Sequence, residues 1–375
     1  MRRDRRPVPA LPAPALTGPG PTGSSPQSAE DPAAAEEPHT LLRLAPNPGF
    51  PDTPPSSSPE RRWYTRIILG RTRRSAILRP PLLVVGAVTL WFGLGGLLMH
   101  RLDDDTDFRP PTPPAGASHV IAMSVALIER EVLQHEWSAN DPWFMPDGLL
   151  DNGPNFQRGI IAAIGRFSFE MVDQLGRTRG SSLADPDLER AAGFLQFPPD
   201  VWHFDLSKSW LPAAPSEAQY LAGARAHASY NTRLAQGQAV FDRRADSLAE
   251  TVARIAADLG SQSAMIDAHL SRESGWILNR NADDIYYQTK GRLYAYYLLL
   301  RELGRDFERV IVERNLVTIW SQALDSLREA ASLRPFVVLD GAPEGSIFAN
   351  HLAMQGFQLL RALVKLNEVV KVAAV

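Results

Sequence analysis

One run limits every other choice this chain can make. Leu82–Met99, LLVVGAVTLWFGLGGLLM, holds eighteen consecutive residues without a charge, and it is the one run of the 375-residue chain that combines such length with an apolar, proline-free composition fit to cross a bilayer. As a helix it rises about 27 Å, close to the ~30 Å of a bilayer's hydrocarbon. Its flanks differ in sign. Arg61, Arg62, Arg66, Arg71, Arg73, Arg74 and Arg79 precede it with no acid among them, whereas Asp103, Asp104, Asp105 and Asp107 follow it. Arg-rich flanks stay in the cytoplasm and touch anionic headgroups at about 1 kcal/mol per charge. The expectation is a single transmembrane helix, N-terminus cytoplasmic, C-terminal domain outside. A cleavable signal peptide would sit at the chain's start before a small-residue site, and this run has MHRLDDD after it. A buried core helix would leave the arginine collar without a reason. Gly86, Thr89, Gly93 and Gly96 recur at spacings of three, four and three. They put small residues on one face, where a second membrane helix packs closely.

Composition divides the rest. Fifteen of the 31 prolines lie within residues 1–60, so that segment reads as a disordered tail unable to offset its ordering entropy. Residues 1–79 carry 12 Arg against 7 Asp and Glu, and residues 100–375 carry 27 Lys and Arg against 35 Asp and Glu. The larger part is therefore acidic, which argues against nucleic acid as a partner. The chain has no cysteine, which excludes thiolate zinc, iron–sulfur clusters and thiol nucleophiles.

The fold class expected is all-α: a transmembrane helix, a Pro-rich stalk over 100–117, then an extramembrane helical bundle over 118–375. Apolar periodicity predicts helices over Ser118–Trp137, Asn155–Leu175, Ser216–Leu234, Ala239–Leu270, Asp283–Leu303 and Asp306–Ser332. A last helix, capped by Ser346, is predicted to run to Val372. Ser118 and Ser216 are predicted N-caps. The near-heptad seam Leu248, Val252, Ile255, Leu259, Ile266, Leu270 predicts a long antiparallel coiled-coil hairpin of 239–270 with its predecessor. Asp283–Leu303 holds five of the eight tyrosines; apolar on most sides, it is expected to be the most buried helix. Gly291 within it predicts a close helix neighbour.

Several motifs resemble a bacterial inner-membrane family, domain of unknown function 2333. They are Leu150-Asp151-Asn152-Gly153-Pro154-Asn155-Phe156, similar to that family's LDNxPN segment, and Ala184-Asp185-Pro186-Asp187-Leu188. Asp283-Asp284-Ile285-Tyr286-Tyr287 with Gly291 and Ala295, and Ala349-Asn350-His351, complete the set. The resemblance spans roughly 80–375. It implies a bacterial source and an envelope location, and it brings no activity.

Motif chemistry is sparse. The chain has no P-loop, dinucleotide fingerprint, H-E-x-x-H or nucleophile elbow, and no cofactor or metal is expected. Three polar clusters stand as ligand or partner candidates. Asp151, Asn152 and Asn155 lie in a turn; its Asn-Gly-Pro is reason enough for the turn. Asp283 and Asp284 open a helix, where acids favour the dipole without catalysis. Asn350 and His351 stand near Glu344 across a loop. The function expected first is a non-enzymatic envelope scaffold or assembly factor that binds another protein or self-associates. The alternatives are a lipid or small-ligand module with the Tyr-rich helix along a pocket, and an envelope enzyme using Asp283, Asp284, Glu344 or His351.

Overall fold

A computed structural model of the protein describes residues 81–93, 102–142, 144–145, 151–178, 184–203, 211, 213–272, 279–335, 338–340 and 350–374. The tail, the arginine collar, Gly96, Glu344 and Ser346 lie outside them. α1 covers 81–93. Thirteen residues rise only about 20 Å, and among the described residues no helix is long and apolar enough to cross a membrane. Residues 94–99 of the expected span lie outside the described set.

The all-α class holds: helices succeed one another, and the described residues contain no strand beyond one antiparallel bridge between Asp340 and Asn350. α2 is His119–Glu129, running into a π-turn at Arg130–Gln134. Then come α3 Asn152–Thr178, α4 Pro186–Leu195, α5 Ser216–Ala235 and α6 Ala245–Arg272. α7 is Arg280–Asp306, α8 Glu308–Glu313, α9 Val317–Ala331 and α10 His351–Ala373.

α7 is the hub. Leu293, Tyr294, Ala295, Tyr296, Leu298 and Leu299 are all buried, so apolar residues on every side of this helix find a neighbour. α3 crosses it, α2 flanks it on one side with α4 and α5 beyond, and α6, α9 and α10 pack together on the other. The crossing depends on glycine. A Cβ on Gly291 would lie 2.1 Å from the Phe156 carbonyl oxygen, and one on Gly159 would lie 2.2 Å from that of Gln288. The close neighbour expected at Gly291 is therefore α3.

Other expectations need correction. The apolar seam of α6 is buried as its periodicity requires, but its partner is α10, not α5. A seam fixes which face is apolar; it does not say which helix covers that face. The expected helix over 306–332 breaks into α8 and α9 at Asn315, whose φ of +54° leaves the helical region. The N-cap of α10 is Asn350, whose side chain accepts from the Ala353 N–H. Ser118 does cap α2, accepting from Ile121. Ser216 instead lies inside α5: its hydroxyl donates to the Pro198 carbonyl and accepts from the Val201 N–H.

The Pro-rich stretch is not a free stalk. Arg301 donates from both Nη atoms to the Thr106 and Phe108 carbonyls, at 2.8 and 2.6 Å. Tyr294 donates to Asp105, and Asp104, buried, meets the Lys290 ammonium at 2.7 Å and is clasped by Arg334. The buried Arg130 guanidinium lies over the Phe108 ring. Further on, Asp306 accepts from the Ser118 hydroxyl and from the His119 and Val120 N–H groups. A carboxylate at a helix N-terminus meets both orphan donors and the dipole. Proline made the segment extended; Arg130, Arg301 and Arg334 decided what it lies on.

Candidate functional site

Two clusters that are 128 or more residues apart in sequence meet at the α3–α7 crossing. Asn155, one turn before Gly159 on α3, donates from Nδ2 to the Asp284 carboxylate at 2.7 Å. Arg280, in the first turn of α7, donates to Asp151 at 2.9 Å. Asn152 reaches the Tyr287 hydroxyl. Arg158 ties the group to the loop before it, donating to the Asn155 side chain at 3.2 Å and to the Ala139 carbonyl at 2.8 Å. The glycine crossing sets this meeting, because helices that touch backbone to backbone bring their first turns within side-chain reach.

Electrostatics follow from the crowding. Burial, then the Asp151 and Asp284 carboxylates, push Asp283 up to about 6, with Arg280 opposing. Burial and Asp151 push Asp284 up as well, while the Asn155 hydrogen bond and the nearby arginines oppose them. Three carboxylates share one corner with Arg280 and Arg158. Crowding of this kind makes the Asp283 and Asp284 carboxyls give up their protons at higher pH than exposed ones; among the described residues no group of acids and histidines has a geometry that could hold a metal ion.

Asn350 and His351 belong to a second knot, separate from the first. Asn350 donates to Asp340 at 3.0 Å while it caps α10. The His351 Nδ1 accepts from the Leu339 N–H at 2.9 Å, and the His351 backbone N–H donates to the Leu339 carbonyl at 3.0 Å. Burial lowers the imidazole's pKa. Asp340 is fully buried and also receives Asn279 at 3.3 Å and pairs with the His269 Nε2 at 3.0 Å. This knot ties the end of α6, the start of α7 and the start of α10 together.

Sequence reading missed Arg280, Arg158, Asp340 and His269. Arg280 had a local signal, a cation three residues before Asp283. Asp340 reads as a plain Asp-Gly turn, and His269 lies 71 residues away from it; nothing local connects them. The tyrosines of α7 are core residues: Tyr286, Tyr294 and Tyr296 are buried. On the α1 face, Gly86 and Gly93 look into open space, and Thr89 donates to the Val85 carbonyl of its own helix.

Residues 112–274 match the model of a family described as an uncharacterized protein conserved in bacteria (DUF2333). The matched range includes the motifs at 150–156 and 184–188; those at 283–295 and 349–351 lie beyond it. No curated protein and no solved structure matches the chain.

Proposed function

We propose that the protein is a single-pass bacterial inner-membrane protein that holds a helical, partner-binding scaffold domain on the periplasmic side. One observation carries the membrane reading. From Leu82 to Trp91, seven large apolar side chains of α1 stand about half exposed or more, from Val88 at 49% to Leu82 at 74%. Leaving such side chains in water costs about 1.5–3 kcal/mol each, on the order of 10 kcal/mol together. Rows of this kind mark a surface that another phase or molecule covers. The uncharged run continuing to Met99, the arginine collar and the acidic exit support a bilayer as that cover, with the N-terminus inside.

The scaffold reading is supported by where the polar groups point. Asp284, Asp151, Asn350 and His351 each join one element of the bundle to another. Groups engaged in this way hold a shape, and a shape fixed at a membrane suits recognition of another envelope protein or of a second copy. A second reading, an envelope enzyme, is favoured by Asp283, whose carboxyl is pushed up to about 6, closer to the working range of a general acid or base than an ordinary carboxylate.

Two measurements test this. A periplasm-active reporter fused after Val375 is expected to be active, and a silent fusion beside an active cytoplasmic reporter overturns the topology. Crosslinking in intact membranes is expected to recover one defined protein partner with Asp283→Asn as with the wild type. A partner that is absent from both, together with loss of cellular function in a stably folded Asp283→Asn protein, moves the conclusion to the enzyme.

A further inference from the structure

A groove of about 430 Å3 runs along α3 between that helix and the turn after α4. It shares Ala162, Gly165, Arg166 and Gln196 with a second depression of about 310 Å3. The floor is one face of α3, since positions 158, 162, 165, 166 and 169 follow the three- and four-residue spacing of a helix side. Ala162 and Gly165 keep that floor low, and Gly165 has no room for more: a Cβ there would lie 2.8 Å from the Leu195 carbonyl oxygen. Volumes of this size suit a small molecule.

The walls are of two kinds. Ile161, Leu195, Phe197 and the Pro198–Pro199 pair form an apolar side, closed by Tyr220 from α5. The Tyr220 hydroxyl donates to the Phe197 carbonyl at 2.9 Å and its ring is buried behind this wall, so Phe197 and the two prolines form its accessible face. Trp137 backs this wall, donating to the Pro199 carbonyl at 3.1 Å with its ring centre 4.9 Å from that of Tyr220. The other side is cationic. Arg158 and Arg166 line the groove, Arg166 and Arg292 line the adjoining depression, and no carboxylate lines the first. Asp258, in the second, is already taken by Arg292 at 2.6 Å and by the Tyr296 hydroxyl at 2.7 Å. Arg166 uses one nitrogen on Glu170, at 2.7 Å, and its side chain is 41% exposed. A guanidinium has five N–H donors, so most of those on Arg166 are free for a ligand.

We propose that this groove binds a small organic anion with an apolar body: a carboxylate or phosphate monoester whose charged end meets Arg166 and whose apolar end lies on Phe197 and the Pro198–Pro199 pair. Planar guanidinium donors match the paired oxygens of both headgroups. The site shares no residue with the α3–α7 carboxylate corner except Arg158, which faces both, and it does not depend on the membrane reading.

Calorimetric titration of the full chain in lipid nanodiscs, with empty nanodiscs as reference, tests it. The probes are phenylacetate, phenyl phosphate, inorganic phosphate and the uncharged phenylethanol. At least one aromatic anion is expected to saturate, with phenylethanol weaker by about tenfold or more, the worth of one charge-assisted hydrogen-bonded contact. Whichever of phenylacetate and phenyl phosphate binds tighter identifies the headgroup, and inorganic phosphate alone is expected to bind more weakly than phenyl phosphate. Arg166→Gln is expected to weaken the anion by about tenfold, with Arg166→Lys recovering part of it. Ala162→Leu fills the shared floor without touching an ion pair, and is expected to abolish binding at an unchanged melting temperature. The proposal fails if no anion saturates, if phenylethanol binds as well as the anions, or if folded Ala162→Leu binds like the wild type.

Discussion

Asp283 is the residue whose surroundings differ most from what its local sequence implies. Read in line, an Asp-Asp pair at a helix start is two favourable charges on a dipole. In space, Asp151 comes up beside them from the turn before α3, and burial adds to the repulsion. The unfolded carboxyl titrates at about 4; the folded one titrates at about 6. A group raised in this way contributes stability that is complete below the unfolded value and is lost as pH rises through the folded one. Asp283→Asn keeps the shape and removes the titration. It is expected to stabilise the protein at about pH 7 by on the order of 1 kcal/mol, after a discount for partial exposure, and to do little at about pH 4. Thermal unfolding at the two pH values checks this; an equal effect at both counts against the raised pKa. The candidate residues Asp151, Asn155, Asp283 and Asp284 were visible in the sequence as two unconnected polar turns. That they are one corner was not, because the contact joining them is a glycine crossing between helices over a hundred residues apart.

At the scale of elements, the same crossing is the feature most open to test. Two glycines in the α3–α7 contact face opposite effects from those in open helix. Gly291→Ala directs a Cβ at the backbone oxygen of Phe156; a carbonyl inside a helix cannot rotate away, so α3 must shift as a whole. A loss of about 3 kcal/mol is expected. Gly260→Ala, in the middle of α6 with nothing within 4 Å of the added carbon, is expected to gain up to about 1 kcal/mol from helix propensity. Denaturant titration of the two variants side by side gives opposite signs if the crossing is as tight as described, and the same sign if α3 yields. Helix existence was legible throughout, since apolar periodicity is a local property. Helix ends were less so. Asn315 breaks 306–332 through one backbone angle, and Ser216 gave up its expected cap to a loop that the sequence did not bring near it.

For the molecule as a whole, the decisive contact is the strap at 102–108. Burial alone would raise the Asp104 carboxyl; the Arg334 and Lys290 hydrogen bonds outweigh it and hold the pKa below the usual range. Burial pulls Lys290 the other way, downward, with Asp104 opposing. Each therefore favours the charged form of the other against the cost of burial. Asp104→Asn leaves the Lys290 ammonium buried without its counter-charge, and about 3–5 kcal/mol of destabilisation is expected. Arg334→Gln removes a partner that is 67% exposed, and a cost below about 1 kcal/mol is expected. Hydrogen exchange over 102–117 reads the same contact: faster exchange in Asp104→Asn, with the rest of the bundle protected, is the expected result, and unchanged exchange would mean that the strap is held elsewhere.

By itself the sequence determined the class of structure, the uncharged run with its unequal flanks, the helices, and the apolar face of each. All of these depend on residues within one or two turns of one another, or on bulk composition. Only the tertiary structure decided which face met which: α6 with α10, the strap with α7, the two polar turns with each other, and three arginines with an apolar wall. Helix faces of similar pattern are interchangeable until size selects among them. Here the selection was made by glycines that let backbones touch and by buried charges that accept only one partner.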